Sequence, residues 1–270
     1  MDNSFKYLMI TNNPVIAAGL DTCGVDRIFV DLEINGKNAR QGHLDTVISH
    51  HSLADVSAVK AALKNSELLV RINPYFGGSA EEIEEVINRG ADIIMLPMFK
   101  SMSEIESVGK LIAGRAKFIP LVETIDASNI LQELDDCEYV DEVHIGLNDL
   151  HLEMGLKFMF QLLESGYLEQ RLAGFKKPFG IGGIARVGSG EVDGELVMAE
   201  HVRLGSRGVI LSRAFHQQIS LGTDGELCLD KFSEEFKALN AARDKLLSSD
   251  KTSLNQLHDT FCRNVRAIVG

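Results

Sequence analysis

Acidic and basic side chains recur in this sequence where apolar runs stop. One run closes in Val30-Asp31-Leu32-Glu33, another in Val70-Arg71-Ile72-Asn73-Pro74, a third in Leu121-Val122-Glu123-Thr124, and a fourth in Gly146-Leu147-Asn148-Asp149-Leu150. Carboxylates gathered at one mouth lose hydration and repel one another, a cost that a divalent cation relieves. Their oxygens are hard donors that suit Mg²⁺ or Mn²⁺, and such sites use one or two carboxylates and leave positions for water and substrate. Glu123 and Asp149 are the expected ligands. Arg71 brings a permanent charge and a planar fork able to grip a substrate carboxylate at two points, so an oxo acid is the natural partner. For any one residue taken alone, an internal salt bridge or a helix cap explains it equally well; their placement on consecutive units favours a site.

The elements that must position them alternate. Short aliphatic and β-branched runs occur at Tyr7–Thr11, Arg27–Glu33, Leu68–Asn73, Asp92–Pro97, Phe118–Glu123, Glu142–Gly146, Phe179–Gly183 and Gly208–Ser212. Stretches of helical period fall between many of them: Val56, Val59 and Leu63 share one face, and Ile83, Val86 and Ile87 another. Ser79 with Glu82 and Ser103 with Glu106 read as capping boxes, and Asp126 as the cap of a helix holding Ile130, Leu131 and Leu134. Runs such as IIML, FIPLV and GVIL are continuously apolar, the pattern of parallel strands buried on both faces. Eight such units predict a TIM (β/α)₈ barrel over residues 1–222, with an open doubly wound sheet as the alternative. In a barrel the strand ends above share one rim. From 223 to 270 the rhythm changes to two amphipathic helices, one carrying Phe232, Phe236, Leu239 and Leu246, the other Leu254, Leu257, Phe261, Val265 and Ile268. Their apolar stripes must be buried against the barrel or a second subunit, and a homo-oligomer is expected.

Composition removes some function classes. A formal net charge of −12 lacks the basic footprint that nucleic acid or an anionic membrane requires. No apolar run approaches the ~18 residues of a bilayer span. Cys23, Cys137, Cys228 and Cys262 form no CxxC pair, which points away from structural zinc or a disulfide framework and toward the cytoplasm.

The segments RINP, DIIMLP, LVET and GLNDL, in that order and at strand ends, resemble the HpcH/HpaI aldolase and citrate lyase beta-subunit family over roughly residues 5 to 220. The resemblance implies a barrel that binds Mg²⁺ or Mn²⁺ through Glu123 and Asp149, with Gly146 and Asn148 beside the substrate and Arg71 orienting its carboxylate. The implied chemistry is reversible carbon–carbon cleavage, in which the metal chelates the carboxylate and ketone oxygens of pyruvate or a similar acid and stabilises an enolate. One position departs from the family: Ile34 stands where the pyruvate branch has a histidine base and the citrate lyase branch an aspartate. Candidates for the base are Glu33, Asp31, a histidine among His43, His50 and His51, or water. A coenzyme A thioester lyase and a non-catalytic barrel that binds a small acid are the two other readings.

Gly180-Ile181-Gly182-Gly183-Ile184-Ala185-Arg186-Val187-Gly188-Ser189-Gly190 could cradle phosphate or coenzyme A, or could serve turn geometry alone. His144, Asp141 and His151 read as supporting residues, and Met95, Met98, Met154 and Met159 as core.

Overall fold

A computed structural model describes residues 4–34 and 51–270. His43 and His50 therefore lie outside the described residues. Strands β1 (Lys6–Ile10), β2 (Arg27–Asp31), β3 (Glu67–Arg71), β4 (Ile93–Leu96), β5 (Lys117–Val122), β6 (Val143–Ile145), β7 (Phe179–Ile184) and β8 (Gly208–Leu211) close into a barrel in chain order. The pairings described are parallel. The expected (β/α)₈ topology holds, and the open sheet is excluded.

Internal contacts divide the chain into two compact units, Leu8–His144 and Met1–Tyr7 with Ile145–Gly270. In the first, α1 (Pro14–Cys23), α2 (Leu53–Ala62), α3 (Ser79–Asn88), α4 (Met102–Ile112), α5 (Ile125–Asn129) and α6 (Leu131–Asp136) follow strands. Ile28, Val30, Leu68, Leu69, Val70, Ile93 and Ile94 are completely buried. Each such side chain contributes roughly 1.5–3 kcal/mol of transfer free energy, so the centres of the strands can hold polar residues in place at their ends.

Several helices begin away from the expected caps. Ser101, two residues before Ser103, caps α4 by accepting the Glu104 N–H. Thr124, not Asp126, caps α5 by accepting the Ala127 N–H, and the expected helix breaks at Ile130 into α5 and α6. Ser79 accepts from the Phe76 N–H, while Glu82 accepts from both nitrogens of Asn73, so these two make no capping box. The reciprocal box that does form is Ser52 with Asp55 on α2.

The second unit carries α7 (Leu147–Glu153), α8 (Gln161–Glu164), α9 (Tyr167–Leu172), α10 (Gly194–Leu204), α11 (Arg213–His216), α12 (Asp230–Leu247) and α13 (Lys251–Val269), with a small hairpin, β9 (Ser220–Leu221) and β10 (Leu227–Cys228). The boundary expected at 222 falls inside that hairpin. Helices α12 and α13 pack on α10. Phe232, Phe236, Leu239 and Leu246 of α12 are buried, as are Phe261 and Val265 of α13, while Ile268 is exposed. Most of the two stripes is thus covered inside this unit, the first of the two fates open to them. Among the described residues no helix is long and apolar enough to cross a membrane.

Candidate functional site

Two five-residue strands, RIFVD and ELLVR, pair in parallel with Arg27 opposite Glu67 and Asp31 opposite Arg71. The register alone therefore sets an acid beside a base at each end of the pair. At the C-terminal end Arg71 donates from Nε to Asp31 Oδ1 and from Nη2 to Asp31 Oδ2, both at 2.9 Å, and Nη2 lies 3.3 Å from Glu33 Oε2. The guanidinium also sits 5.6 Å from the centre of the Phe29 ring. Burial works to lower the Arg71 pKa, but the charges of Asp31, Glu33 and Glu123 outweigh it and hold the group well above its ordinary value. Its charge is permanent at any physiological pH.

The geometry refines the expectation for Arg71. Its Nε–Nη2 edge, the one suited to a bidentate carboxylate, holds Asp31 instead of standing open to substrate. Among the described residues Nη1 donates to no partner, and Arg71 keeps 14% of its side-chain surface exposed. Asp31, expected among the catalytic groups, engages the arginine with both oxygens and also accepts the Glu33 N–H on Oδ1. Glu33 is as buried as Asp31 and borders the same guanidinium.

Glu123 leaves the end of β5 with only 3% of its surface exposed. Its Oε1 accepts the Met98 N–H at 3.1 Å. Met98 adopts φ 54°, a left-handed conformation that a side chain with a Cβ rarely takes, directly after Pro97. Such backbone persists when surroundings over-determine it and clusters at working sites. The next residue, Thr124, donates from Oγ1 to the Phe99 carbonyl at 3.0 Å while capping α5, so Glu123 is fixed from both sides. Met98 was read from sequence as core; its role here is played by the backbone, for which methionine carries no signal.

A second set of bonds stitches the same rim. Ile34 donates its N–H to Asn73 Oδ1, and Asn73 donates from its backbone and from Nδ2 to Glu82. Burial raises the Glu82 pKa despite those bonds. His51, the one described member of the histidine cluster, accepts the Asp31 backbone N–H on Nδ1 at 2.9 Å. His144, in β6, is buried. Asp141 accepts the Phe118 N–H and supports β5.

The remaining expected site residues belong to the second unit. Gly146 precedes α7, and Asn148 and Asp149, both partly buried, lie in its first turn. His151, buried on the same helix, bonds the Leu147 carbonyl. In the glycine run, Gly182 has φ 44°, and a Cβ there would come within 2.8 Å of the Leu147 side chain. Farther on, Asp193 takes the N–H groups of Gly188 and Glu195 on one oxygen. A carboxylate of the chain thus occupies the Gly188 N–H, and close packing accounts for the glycine at 182.

Among the described residues no group of three or more His, Cys, Asp or Glu side chains is placed to share a metal ion. Glu123 and Asp149 each offer only carboxylate oxygens, the donor type that suits a hard divalent cation.

The fold and its rim define an α/β barrel of the kind that gathers its chemistry at the C-terminal strand ends. Residues 7–214 match the HpcH/HpaI aldolase/citrate lyase family, and the chain belongs to that family. It is a family of aldolases and lyases. Among solved structures, an HpcH/HpaI aldolase from Desulfitobacterium hafniense DCB-2 superposes with a TM-score of 0.58 at 15% identity, covering 78% of this chain and 86% of that one. An HpcH/HpaI aldolase/citrate lyase family protein from Burkholderia cenocepacia J2315 gives 0.62 at 15%, covering 80% and 91%. Citrate synthase SbnG gives 0.59 at 15%, covering 80% and 90%. At this identity the likeness is one of fold. No curated protein sequence matches the chain.

Proposed function

We propose that this protein is a carbon–carbon lyase of the metal-dependent aldolase type, acting on a 2-oxo acid such as pyruvate, with Glu123 and Asp149 holding Mg²⁺ or Mn²⁺. The observation that carries the reading is Glu123. It is a nearly fully buried carboxylate at a strand exit, anchored by a left-handed backbone N–H and within the field of Arg71, in a chain of an aldolase and lyase family. A divalent cation bound there would supply a Lewis acid for the oxygens of the oxo acid.

The protein's own groups do the rest. Arg71, locked in plane by Asp31, presents Nη1 to the substrate carboxylate, so the acid binds in one orientation at little cost in side-chain entropy. Met98 holds the Glu123 carboxylate through its backbone. Gly146 and Asn148 are assigned to substrate contact through the resemblance, and Glu33 is the carboxylate assigned to proton transfer.

The test is proton NMR of pyruvate in D₂O, following loss of the methyl signal with Mg²⁺ or Mn²⁺, with a chelator control and the Glu123→Ala variant. Exchange that needs both the metal and Glu123 is expected. Exchange that survives Glu123→Ala would overturn the metal assignment, and its absence from wild type with each of several 2-oxo acids would overturn the reaction class.

A further inference from the structure

The expected site residues stand at strand exits. At strand starts, the second unit encloses a cavity of about 310 Å³. That volume lies at the low end of the range, roughly 300–1,000 Å³, that holds small molecules. One wall follows from two short connections. Phe5 stands directly before β1 and Arg207 directly before β8, and the Lys6 N–H donates to the Arg207 carbonyl at 2.8 Å. Arg207 donates its own backbone N–H to the Phe179 carbonyl at 2.6 Å. Helix α10 ends just before, at Gly205, whose φ of 80° turns the chain toward β8. The buried Ser206 hydroxyl lies 2.9 Å from His201 Nδ1. Backbone bonds therefore fix this wall and keep it from collapsing into the space.

Helix α12 supplies the opposite wall. Arg243 and Leu247, four residues apart, share one face of it and border the cavity, as does Asp244. Arg243 is held in place: Nε and Nη2 donate to Asp244 Oδ1 at 2.9 and 2.7 Å, Nη1 donates to Tyr7 Oη at 3.5 Å, and the guanidinium sits 5.6 Å from the centre of the Tyr7 ring. A guanidinium has five N–H groups, and these bonds use three. Among the described residues, one N–H on each terminal nitrogen is thus left for another acceptor. Burial works to lower the Arg243 pKa, but the bonds to Asp244 and Tyr7 outweigh it, so the charge is permanent.

The charge of the walls is positive, in a chain whose formal net charge is −12. Arg207 and Arg243 face the single carboxylate of Asp244, which is 64% exposed and already engaged by Arg243. The negative end of the α10 dipole opposes an anion, but its nearest carbonyls are paired: His201 accepts from Gly205 and Ser206, and Val202 accepts from Gly205. The rest of the lining includes Phe5, Val202 and Leu247, the last an aliphatic side chain 56% exposed. A bare anion would leave this apolar surface uncovered, and a neutral body would leave the guanidinium edge unused.

We infer that this cavity is a second binding site, for a small monocarboxylate with an apolar body, whose carboxylate lies on Arg243 and whose hydrocarbon lies against Phe5, Val202 and Leu247. Binding there involves no covalent step. It stands apart from the proposed reaction and does not depend on it.

The experiment is NMR of the full chain labelled with ¹⁵N in its arginine side chains, with the Nε–H signals of Arg243 and Arg71 assigned by their loss in Arg243→Gln and Arg71→Met. Benzoate is the probe, with benzyl alcohol, benzylamine and inorganic phosphate beside it. Benzoate should move the Arg243 signal saturably, and the other three should bind at least ~5-fold more weakly. Leu247→Glu sets a like charge at an exposed position and should bind benzoate at least ~3-fold more weakly than Leu247→Gln. Equal binding of benzoate and either benzyl alcohol or benzylamine would overturn the charge selection. Phosphate binding as tightly as benzoate would overturn the apolar requirement, and equal affinities in the two Leu247 variants would overturn the placement. A benzoate response confined to Arg71, or none at Arg243, would overturn the site itself. No turnover is measured, so failure here is distinct from failure of pyruvate exchange.

Discussion

The two ends of strands β2 and β3 make a controlled comparison, because the same parallel register builds an arginine cluster at each. At the N-terminal end Arg27 is bidentate to Glu142 at 2.6 and 2.7 Å and donates to Glu67 at 3.0 Å, while Lys117 bonds the same Glu67 at 2.6 Å. Two bases meet two acids. At the C-terminal end one base, Arg71, lies in the field of three acids, Asp31, Glu33 and Glu123. The first cluster is matched in charge, with Arg27 buried and its partners partly exposed. The second is rich in carboxylate, and among the described residues Nη1 of its arginine donates to no partner. Similar residues in the same register thus serve structure at one end and point to chemistry at the other, and what separates them is local charge balance.

Arg71→Met and Arg27→Met break the comparison most directly. The first should lower metal-dependent pyruvate exchange by about 10²-fold or more, since the group that orients the carboxylate is gone. Arg27→Met strands Glu67 and Glu142 and should cost about 3 kcal/mol of stability, measured by urea unfolding, with exchange per folded molecule unchanged. Equal losses of activity in the two variants would dissolve the distinction.

Acid titration sharpens it. Burial works to raise the Glu67 pKa, but the bonds to Lys117 and Arg27 and the charges of both outweigh it, leaving the group below its ordinary value. A carboxyl depressed in the folded state stabilises at pH above its unfolded value, near ~4.3, and that stabilisation is lost as pH falls through the folded value. Glu67→Gln should therefore melt below wild type at neutral pH and converge with it in acid below about pH 4. A constant difference across that range would remove the N-terminal network from the linkage.

The smallest effect lies where an element begins. Ser101→Ala should cost about 1 kcal/mol because it removes the α4 cap, whereas Ser103→Ala should stay within about 0.5 kcal/mol. Denaturant midpoints of the two variants separate them, and the opposite order would restore the cap position suggested by sequence.

The C-terminal cluster was legible because each of its acids and Arg71 interrupts a run of buried aliphatics, where charge is out of place. The N-terminal cluster was not singled out, since a charge that opens a strand reads as ordinary solvated boundary. Met98 escaped notice because its contribution is a backbone dihedral. The capping boxes at Ser79 and Ser103 failed for a related reason. Their four-residue pattern occurs by chance, and Asn73, distant enough in sequence to lie outside any local rule, claims Glu82 for itself.

By itself the sequence determined the alternation of strands and helices, the apolar centres that drive them together, and which charged residues would stand at strand exits. These are properties of nearest neighbours and of periods of two and 3.6 residues, and they survive without knowledge of distant contacts. Only the tertiary structure decided that Asp31 would occupy the fork of Arg71, that Met98 would anchor Glu123, and that His51 would accept the Asp31 N–H. Those choices join residues 20 to 40 positions apart, and they depend on strand register and loop path.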